Sequence, residues 1–454
     1  MILSPQHVSA ADRPNVLFIA VDDLNDWIGC LGGHPQTRSP NIDALAKRGV
    51  LFERAYCAAP ACNPSRAALL TGIAPHKSGV YLNSQPWRPA MPRAVTLPQL
   101  FMKHGYHAWG CGKIFHGGFN DAASWEEYLP QHGDPKPDKT PVNGIRNTAH
   151  FDWGPIDDDK KAMSDHQMVD WAIGKLKGRH DKPFFLACGI FRPHLPWYVP
   201  QEYFDKHPLD DIALPTVKSD DLDDVPPAGR VMAKPEGDHR KVLEANQWKQ
   251  AVQGYLASIN FADEQVGRLL AALDASRYGD NTIIILWGDH GWHLGEKQHW
   301  RKFSLWEEAD RAPLMLVAPG VTAPGGRCPR PVSFVDIYPT LADLCELPLE
   351  KGLDGVSLRP LLDDPSAAWD RPAITTHGRN NHAVRTQRWR YIRYSDGGEE
   401  LYDHDADEFE WTNLAGDRRW AGELASLRKS IPTINAPNAP AAGGKKGSRD
   451  GAPD

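Results

Sequence analysis

The chain alternates continuous apolar runs with amphipathic stretches. "NVLFIAVDDL" (15–24) is apolar from Val16 to Val21 and then turns acidic. Such a run reads as a strand buried on both faces, with Asp22 and Asp23 at its carboxyl end. "PFFLACGIF" (183–191), "TIIILWGDHG" (282–291) and "LMLVAPG" (314–320) have the same character, and the 282–291 run ends in Asp289 and His290. Helical periodicity fills the intervals. "SPNIDALAKRG" (39–49) has Ser39 placed to cap it and Gly49 to stop it, and 163–178, 248–275 and 333–346 follow. This order predicts an α/β fold, a large mixed, mostly parallel sheet sandwiched by helices. Ligands bind such sheets beyond the carboxyl ends of the strands, where both acidic clusters stand.

Near residue 370 the pattern changes. "HAVRTQRWRYIRY" and "EELYDHDADEFEWTNLA" read as antiparallel strands and a turn, so a smaller C-terminal subdomain with its own sheet. The expected organisation is a leader remnant over 1–13, a main domain over 14–368, a subdomain over 369–430 and a disordered tail over 431–454, which is rich in Pro, Ala, Gly and Lys. No internal repeat is visible.

A length of 454 residues suits one large domain plus a small one. The net charge of −7 argues against bulk attraction to nucleic acid or anionic membrane, so an anionic substrate must be gripped by local cations. No run of apolar residues is long enough to span a bilayer. The seven cysteines are scattered and make no disulfide framework, although Cys57 and Cys62 are near enough in sequence to pair. "VSA" before Ala11 looks like the end of a trimmed export signal, which predicts a periplasmic or secreted location.

"CNPSRAALLTG" (62–72) raises the chemical question. Pro64 suits a first helical turn and Gly72 suits a helix stop. Cys62 then sits at a helix N-terminus, where free N–H groups favour an anion, with Arg66 one turn on. A helix start alone leaves two readings open, a buried structural cysteine or an activated nucleophile.

The whole string resembles the sulfatase signature C-x-P-S-R-x-x-x-L-T-G at every defined position. The resemblance extends over about 14–420 through "GYHAWGCGKIFHGG", "FRPHLPW", "GDHGWHLGE" and "HWRKFSLWEEADRAPLML", and is greatest to the iduronate-2-sulfatase-like branch of the alkaline phosphatase superfamily. It implies that a formylglycine-generating maturation enzyme converts Cys62 to formylglycine (3-oxoalanine), whose hydrate attacks the sulfur of a sulfate ester. It also implies that Asp22, Asp23, Asp289 and His290, with residue 62, hold one divalent cation. Either acidic pair alone would serve as helix caps; two pairs at strand ends point to a cation. Sulfatases mostly use Ca²⁺, which is the ion expected here. His290 stands where many relatives carry Asn, and imidazole suits Mn or Zn better.

By the same resemblance Lys113 and His116 in "GKIFH", His194 in "FRPHLP" and Lys302 are catalytic residues. The lysines neutralise sulfate oxygens, Arg66 favours the ionised hydrate, His194 (with Lys302 as second candidate) protonates the leaving alcohol, and His116 is the base that lets the aldehyde reform. The implied substrate is a sulfated sugar or uronate of a polysaccharide or oligosaccharide. Trp87, Trp292, Trp300 and Trp306 are candidate sugar platforms, although tryptophans are usually core. Arg88, Arg93, Arg192 and Arg301 are candidate carboxylate binders, and Arg385, Arg388, Arg390 and Arg393 read as one exposed sheet face. The alternatives are a phosphonate monoester or phosphodiester hydrolase or choline-sulfatase-like enzyme with the same nucleophile, and an inactive protein that binds sulfated glycans.

Overall fold

The computed structural model describes residues 13–148 and 150–442. The expected leader remnant lies, but for residue 13, outside them. In chain order the main strands are β1 (Asn15–Val21), β2 (Val50–Tyr56), β3 (His107–Gly112), β4 (Glu127–Pro130), β5 (Phe184–Ile190), β6 (Thr282–Gly288), β7 (Leu314–Val317) and β8 (Gly326–Ser333). They form one sheet in the order β8-β2-β7-β6-β1-β5-β3-β4. β7 runs antiparallel to both neighbours, and every other pairing is parallel.

The two faces of β1 seed two cores. Val16, Phe18 and Ala20 belong to one, which is closed by Leu69 and Leu70, by Leu97, Leu100 and Phe101, and by Ile337 and Leu341. Leu17, Ile19 and Val21 belong to the other, which is closed by Ile42 and Leu45, by Met168 and Val169, and by Ile259, Val266 and Leu269. All seven residues of β1 are buried, as its unbroken apolar run requires.

Helices α1 (Pro40–Ala46), α2 (Cys62–Thr71), α3 (Ser164–Lys177), α4 (Trp248–Asp274) and α5 (Ile337–Leu344) fall where the periodicity places them. Ser39 precedes α1, but its hydroxyl accepts from the Gly29 N–H (2.8 Å) and makes no cap bond to the helix. α2 ends at Gly72 in the left-handed region (φ 69°), where its N–H reaches the Ala68 carbonyl (2.8 Å) and a side chain would be strained.

A second sheet of β9 (Ala373–Thr376), β10 (His382–Arg385), β11 (Trp389–Arg393) and β12 (Glu399–Asp403) is antiparallel throughout. It interlocks with the large unit. The Thr376 N–H and the Thr375 hydroxyl bond the carbonyls of Ala58 and Cys57 (2.9 and 2.7 Å). Arg385 and Arg390 are buried, not on an exposed face; only their neighbours Arg388 and Arg393 lie toward solvent. Arg390 meets Glu307, Asp310 (2.6 Å) and Glu410 (2.6 Å), because carboxylates this deep require a cation.

The expectation of a disordered tail from residue 431 fails for its described part. Ala436, Ala439 and Ala442 donate backbone hydrogen bonds to His76, Gly79 and Ser84 (2.8, 2.8 and 2.9 Å). Composition suggested disorder, but a partner edge elsewhere in the chain satisfies these N–H groups. Residues 443–454 lie outside the described part.

Candidate active site

Strand register assembles the site. Val21 of β1 pairs with Gly288 of β6, so the residues that follow, Asp22 and Asp289, emerge side by side. Gly112 of β3 pairs with Gly189 of β5, which puts Lys113 beside the chain that leads to His194. α2 arrives from the opposite side with Cys62 as its first residue. The seven residues of β6 carry no charge, and Asp289 follows directly at its carboxyl end.

Arg66 ties the strand ends together. Its Nε donates to Asp289 (2.9 Å) and an Nη to Asp22 (2.8 Å), and another Nη donates to the carbonyls of Lys113 and Ile114. Arg66, Asp22 and Asp289 are all fully buried. The guanidinium is thus spent on carboxylates and carbonyls, and none of these hydrogen bonds goes to Cys62. Its hydrogen bonds fix the two aspartates. Burial opposes its charge, but Asp289 and then Asp22 hold it firmly protonated.

Cys62 Sγ lies 3.0 Å from Lys302 Nζ, 3.3 Å from His290 Nε2, 3.7 Å from Lys113 Nζ and 3.9 Å from an Asp23 oxygen. Lys302 also bonds Asp23 (2.9 Å), and Lys113 pairs with Asp22 (2.5 Å). Burial raises the Cys62 thiol well above its ordinary range, against the pull of Lys113 and Lys302. As a free cysteine it is therefore an un-ionised thiol and not the activated thiolate that a helix N-terminus alone suggests. All seven cysteines are free, Cys57 and Cys62 included.

Burial would raise Asp22, but Lys113 and then Arg66 hold it well below the usual carboxylate range. Asp23 is pushed up to about 7 by burial, with Lys302 opposing and Asp22 and Asp289 adding to the rise. Its Oδ2 is buried with no hydrogen-bond partner, and His194 Nε2 lies 3.8 Å from it. His290 uses Nδ1 on its neighbour's carbonyl (Gly291, 3.0 Å), which turns the Nε2 lone pair toward Asp23 (3.3 Å), Asp289 (3.5 Å) and Sγ. Burial holds its pKa down at about 4, so it is neutral and fit to be a ligand.

These donors fit a divalent cation. One atom each from Asp23, Cys62, Asp289 and His290 lie within 4.8 Å of one another, as do those of Asp22, Asp23, Cys62 and His194. An orphaned buried carboxylate oxygen, repelled by two further carboxylates, is what a cation would satisfy.

His194 is buried with Nδ1 on the Leu195 carbonyl (2.6 Å). Burial, then Lys113 and Lys302, lower its pKa strongly, so Nε2 bears no proton in the substrate-free protein. His116 stands in the loop after β3, half-buried, with its ring 5.9 Å from Phe119, and belongs to neither donor cluster. The remaining predicted residues converge.

Lys302 is aimed by strained backbone. Its neighbours Arg301 and Phe303 both have positive φ (73° and 74°), as does Asp23 (55°). Phe303 N–H anchors this turn to the Pro60 carbonyl (3.0 Å), two residues before Cys62.

The proposed substrate groups fare differently. Trp87, Trp292, Trp300 and Trp306 are all core residues, exposed by 1–2%. Arg88, Arg192 and Arg301 are paired with Asp121, Asp134 and Asp238. Residues that sequence reasoning missed include Tyr255, whose hydroxyl donates to the Asp23 carbonyl (2.8 Å) and accepts from the Asn25 N–H (3.0 Å), and Asn63, Asn83 and Gln85 beside Cys62. A tyrosine inside a long helix gives no sequence signal of such a contact.

Comparison with known proteins identifies the family of the chain. A family model described as Sulfatase matches residues 14–347, and one described as N-sulphoglucosamine sulphohydrolase, C-terminal, matches 295–436. A protein named sulfatase from Formosa agariphila is 39% identical over 444 residues, covering 94% of this chain and 87% of its own. Iduronate 2-sulfatase of Mus musculus is 30% identical, with coverage of 92% and 94%. Among solved structures, the phosphonate monoester hydrolase of Silicibacter pomeroyi superposes with a TM-score of 0.79 at 22% identity, covering 92% of this chain and 94% of that one. At that identity the likeness shows the fold. The chain belongs to the sulfatase family, whose members hydrolyse sulfate esters.

Proposed function

We propose that the enzyme hydrolyses a sulfate ester on a sugar or uronate of a polysaccharide or oligosaccharide, with residue 62 as nucleophile after a maturation enzyme converts the cysteine to formylglycine. The carrying observation is the convergence of Lys113 and Lys302 on Cys62 Sγ beside an unsatisfied carboxylate. Sγ marks where the hydrate oxygens of a matured residue 62 would project. Support for the substrate class comes from relatives named iduronate 2-sulfatase and ulvan-active sulfatase.

Asp22, Asp23, Asp289, His290 and residue 62 would hold one divalent cation, Ca²⁺ on the carboxylate set, with Mn or Zn admitted by the imidazole. When bound, the cation supplies charge stabilisation and lowers the pKa of a ligating hydroxyl. Lys113 and Lys302 bind the sulfate oxygens and keep water from competing for them. Arg66 keeps two ligand carboxylates in place. His194 starts neutral; the charge of the bound ester offsets the two lysines and lets Nε2 take up a proton from solvent, which it gives to the leaving oxygen as the bond from sulfur to that oxygen breaks. His116 serves as base for the second hydroxyl of residue 62, so that the aldehyde reforms as the carbon–oxygen bond to the sulfate breaks and sulfate leaves. An exported location belongs to the same reading; no helix among the described residues is long and apolar enough to cross a membrane.

The test is turnover of an aryl sulfate, a sulfated uronate and an aryl phosphonate by protein whose conversion at residue 62 has been read by intact mass. Turnover is expected for the sulfates and absent in Cys62→Ala, which should stay folded. Equal activity in that variant refutes the nucleophile. A preference for the phosphonate favours the rival hydrolase reading, which the close fold match to a phosphonate monoester hydrolase keeps in view.

A further inference from the structure

Residues 436–442 cross the segment that follows α2, and their contacts lead inward to residue 62. Ala436 N–H bonds the His76 carbonyl, Ala439 N–H bonds Gly79 and Ala442 N–H bonds Ser84. Tyr81 returns a hydroxyl bond to the Ala436 carbonyl (2.8 Å). The fit is close at Gly79 (φ 75°), where a Cβ would lie 2.3 Å from the Pro437 carbonyl oxygen.

The buried side chain of Gln85 is the node beneath this strap. Its Nε2 donates to the Ala439 carbonyl (2.7 Å), and its Oε1 accepts the N–H groups of Tyr81 (2.7 Å) and Leu82 (2.8 Å). Its own carbonyl accepts from Asn63 Nδ2 (2.7 Å). Asn63 also donates from Nδ2 to the Leu82 carbonyl (3.0 Å), and its N–H, one of the unpaired donors of the first turn of α2, goes to Asn83 Oδ1 (2.9 Å). Asn63 adjoins residue 62.

Residues 79–85 contain no helix or strand. Their shape therefore rests on these side-chain and strap bonds, and the first turn of α2 rests on their shape. We propose that Gln85 and the C-terminal strap, residues 436–442, are positioning elements that set the orientation of residue 62. The kinetic part of this inference rests on the sulfatase reading; its structural part does not.

Two truncations and one substitution separate the outcomes. A chain ending at Ala442 keeps the strap and should match the full chain in kcat and KM. A chain ending at Thr433 lacks it, and its kcat should fall by about 10- to 100-fold, the scale of an ångström-sized misplacement, with cation content unchanged. A peptide of residues 434–442 added in trans should restore part of that loss. Gln85→Glu keeps the acceptor for Tyr81 and Leu82 and replaces the donor to Ala439 by an oxygen that repels that carbonyl. It should reproduce the loss in a chain that folds, even if the shorter truncation does not.

Hydrogen exchange of the unconverted proteins reads the same coupling without turnover. Exchange should rise at 79–85 and at 63–66 together, in Gln85→Glu and in the chain ending at Thr433. Unchanged exchange at 63–66 in Gln85→Glu overturns the proposal. So does a lower unfolding midpoint with kcat intact, which would make the strap a stabilising element only. A full chain without sulfatase turnover overturns the sulfatase reading and leaves the exchange result to decide the strap.

Discussion

Arg390 offers a quantitative test of how the small sheet is joined to the catalytic unit. It is fully buried, and it meets Glu307, Asp310 and Glu410 while an Nη donates to the Leu305 carbonyl (2.8 Å), three residues from Lys302. Each ion pair, with charge centres about 4 Å apart, is worth about 4 kcal/mol at an effective dielectric near 20. Desolvation of the four groups offsets most of that, so the informative quantity is the cost of removing one partner. Arg390→Met leaves three buried carboxyl groups with Arg385 as the paired cation at hand, and should cost about 3–5 kcal/mol. The pH dependence has a definite sign. Burial raises Glu307 and Glu410, but cations that include Arg390 hold both below the usual range. That contribution is present above the unfolded pKa and is lost as pH falls through the folded one. Asp310 is raised by burial against Arg390, and would rise further without it. The gap between wild type and variant should therefore be full at pH 7 and narrow below about pH 4. Urea unfolding followed by tryptophan fluorescence at both pH values measures it. A gap under about 1 kcal/mol, or one that widens on acidification, refutes the account.

The cation and the acid each have a test of their own. Chelation should abolish turnover, and apo protein should take up one divalent ion per chain by equilibrium dialysis, with uptake lost in Asp289→Asn; full activity in verified metal-free protein contradicts the site. His194→Ala should lose about 10²–10⁴-fold on a sulfated sugar, whose leaving group needs a proton, and far less on a nitrophenyl sulfate, whose leaving group does not. Equal losses on both would move the acid to Lys302 and make His194 a binding residue.

What could be read from the sequence follows from how local each signal is. β1, β5 and β6 are legible because strands buried on both faces must be apolar throughout, and the acids that break the run then mark the site. β2 is not, since Glu53 and Arg54 sit half-buried in its middle, and neither is β8, which carries two prolines beside a register shift. The direction of β7 has no sequence signature at all. Cys62, the aspartates and the lysines were legible as one set. The second layer was not, because Gln85, Tyr255 and Arg390 owe their roles to partners 354, 232 and 80 residues away. The tryptophans misled for a simpler reason: a large ring near a motif usually packs the motif's supports.

Arg66 and the two lysines have a further consequence. Asp22, Asp23 and Asp289 are formally three negative charges, and Arg66, Lys113 and Lys302 three positive ones, all of them buried. By formal charge the three cations balance the three aspartates, so the cluster has partners of its own before any ion is bound, in contrast to small domains that assemble only on their metal. A divalent ion held there would add positive charge that these six groups do not compensate, and that excess would favour an anionic ester.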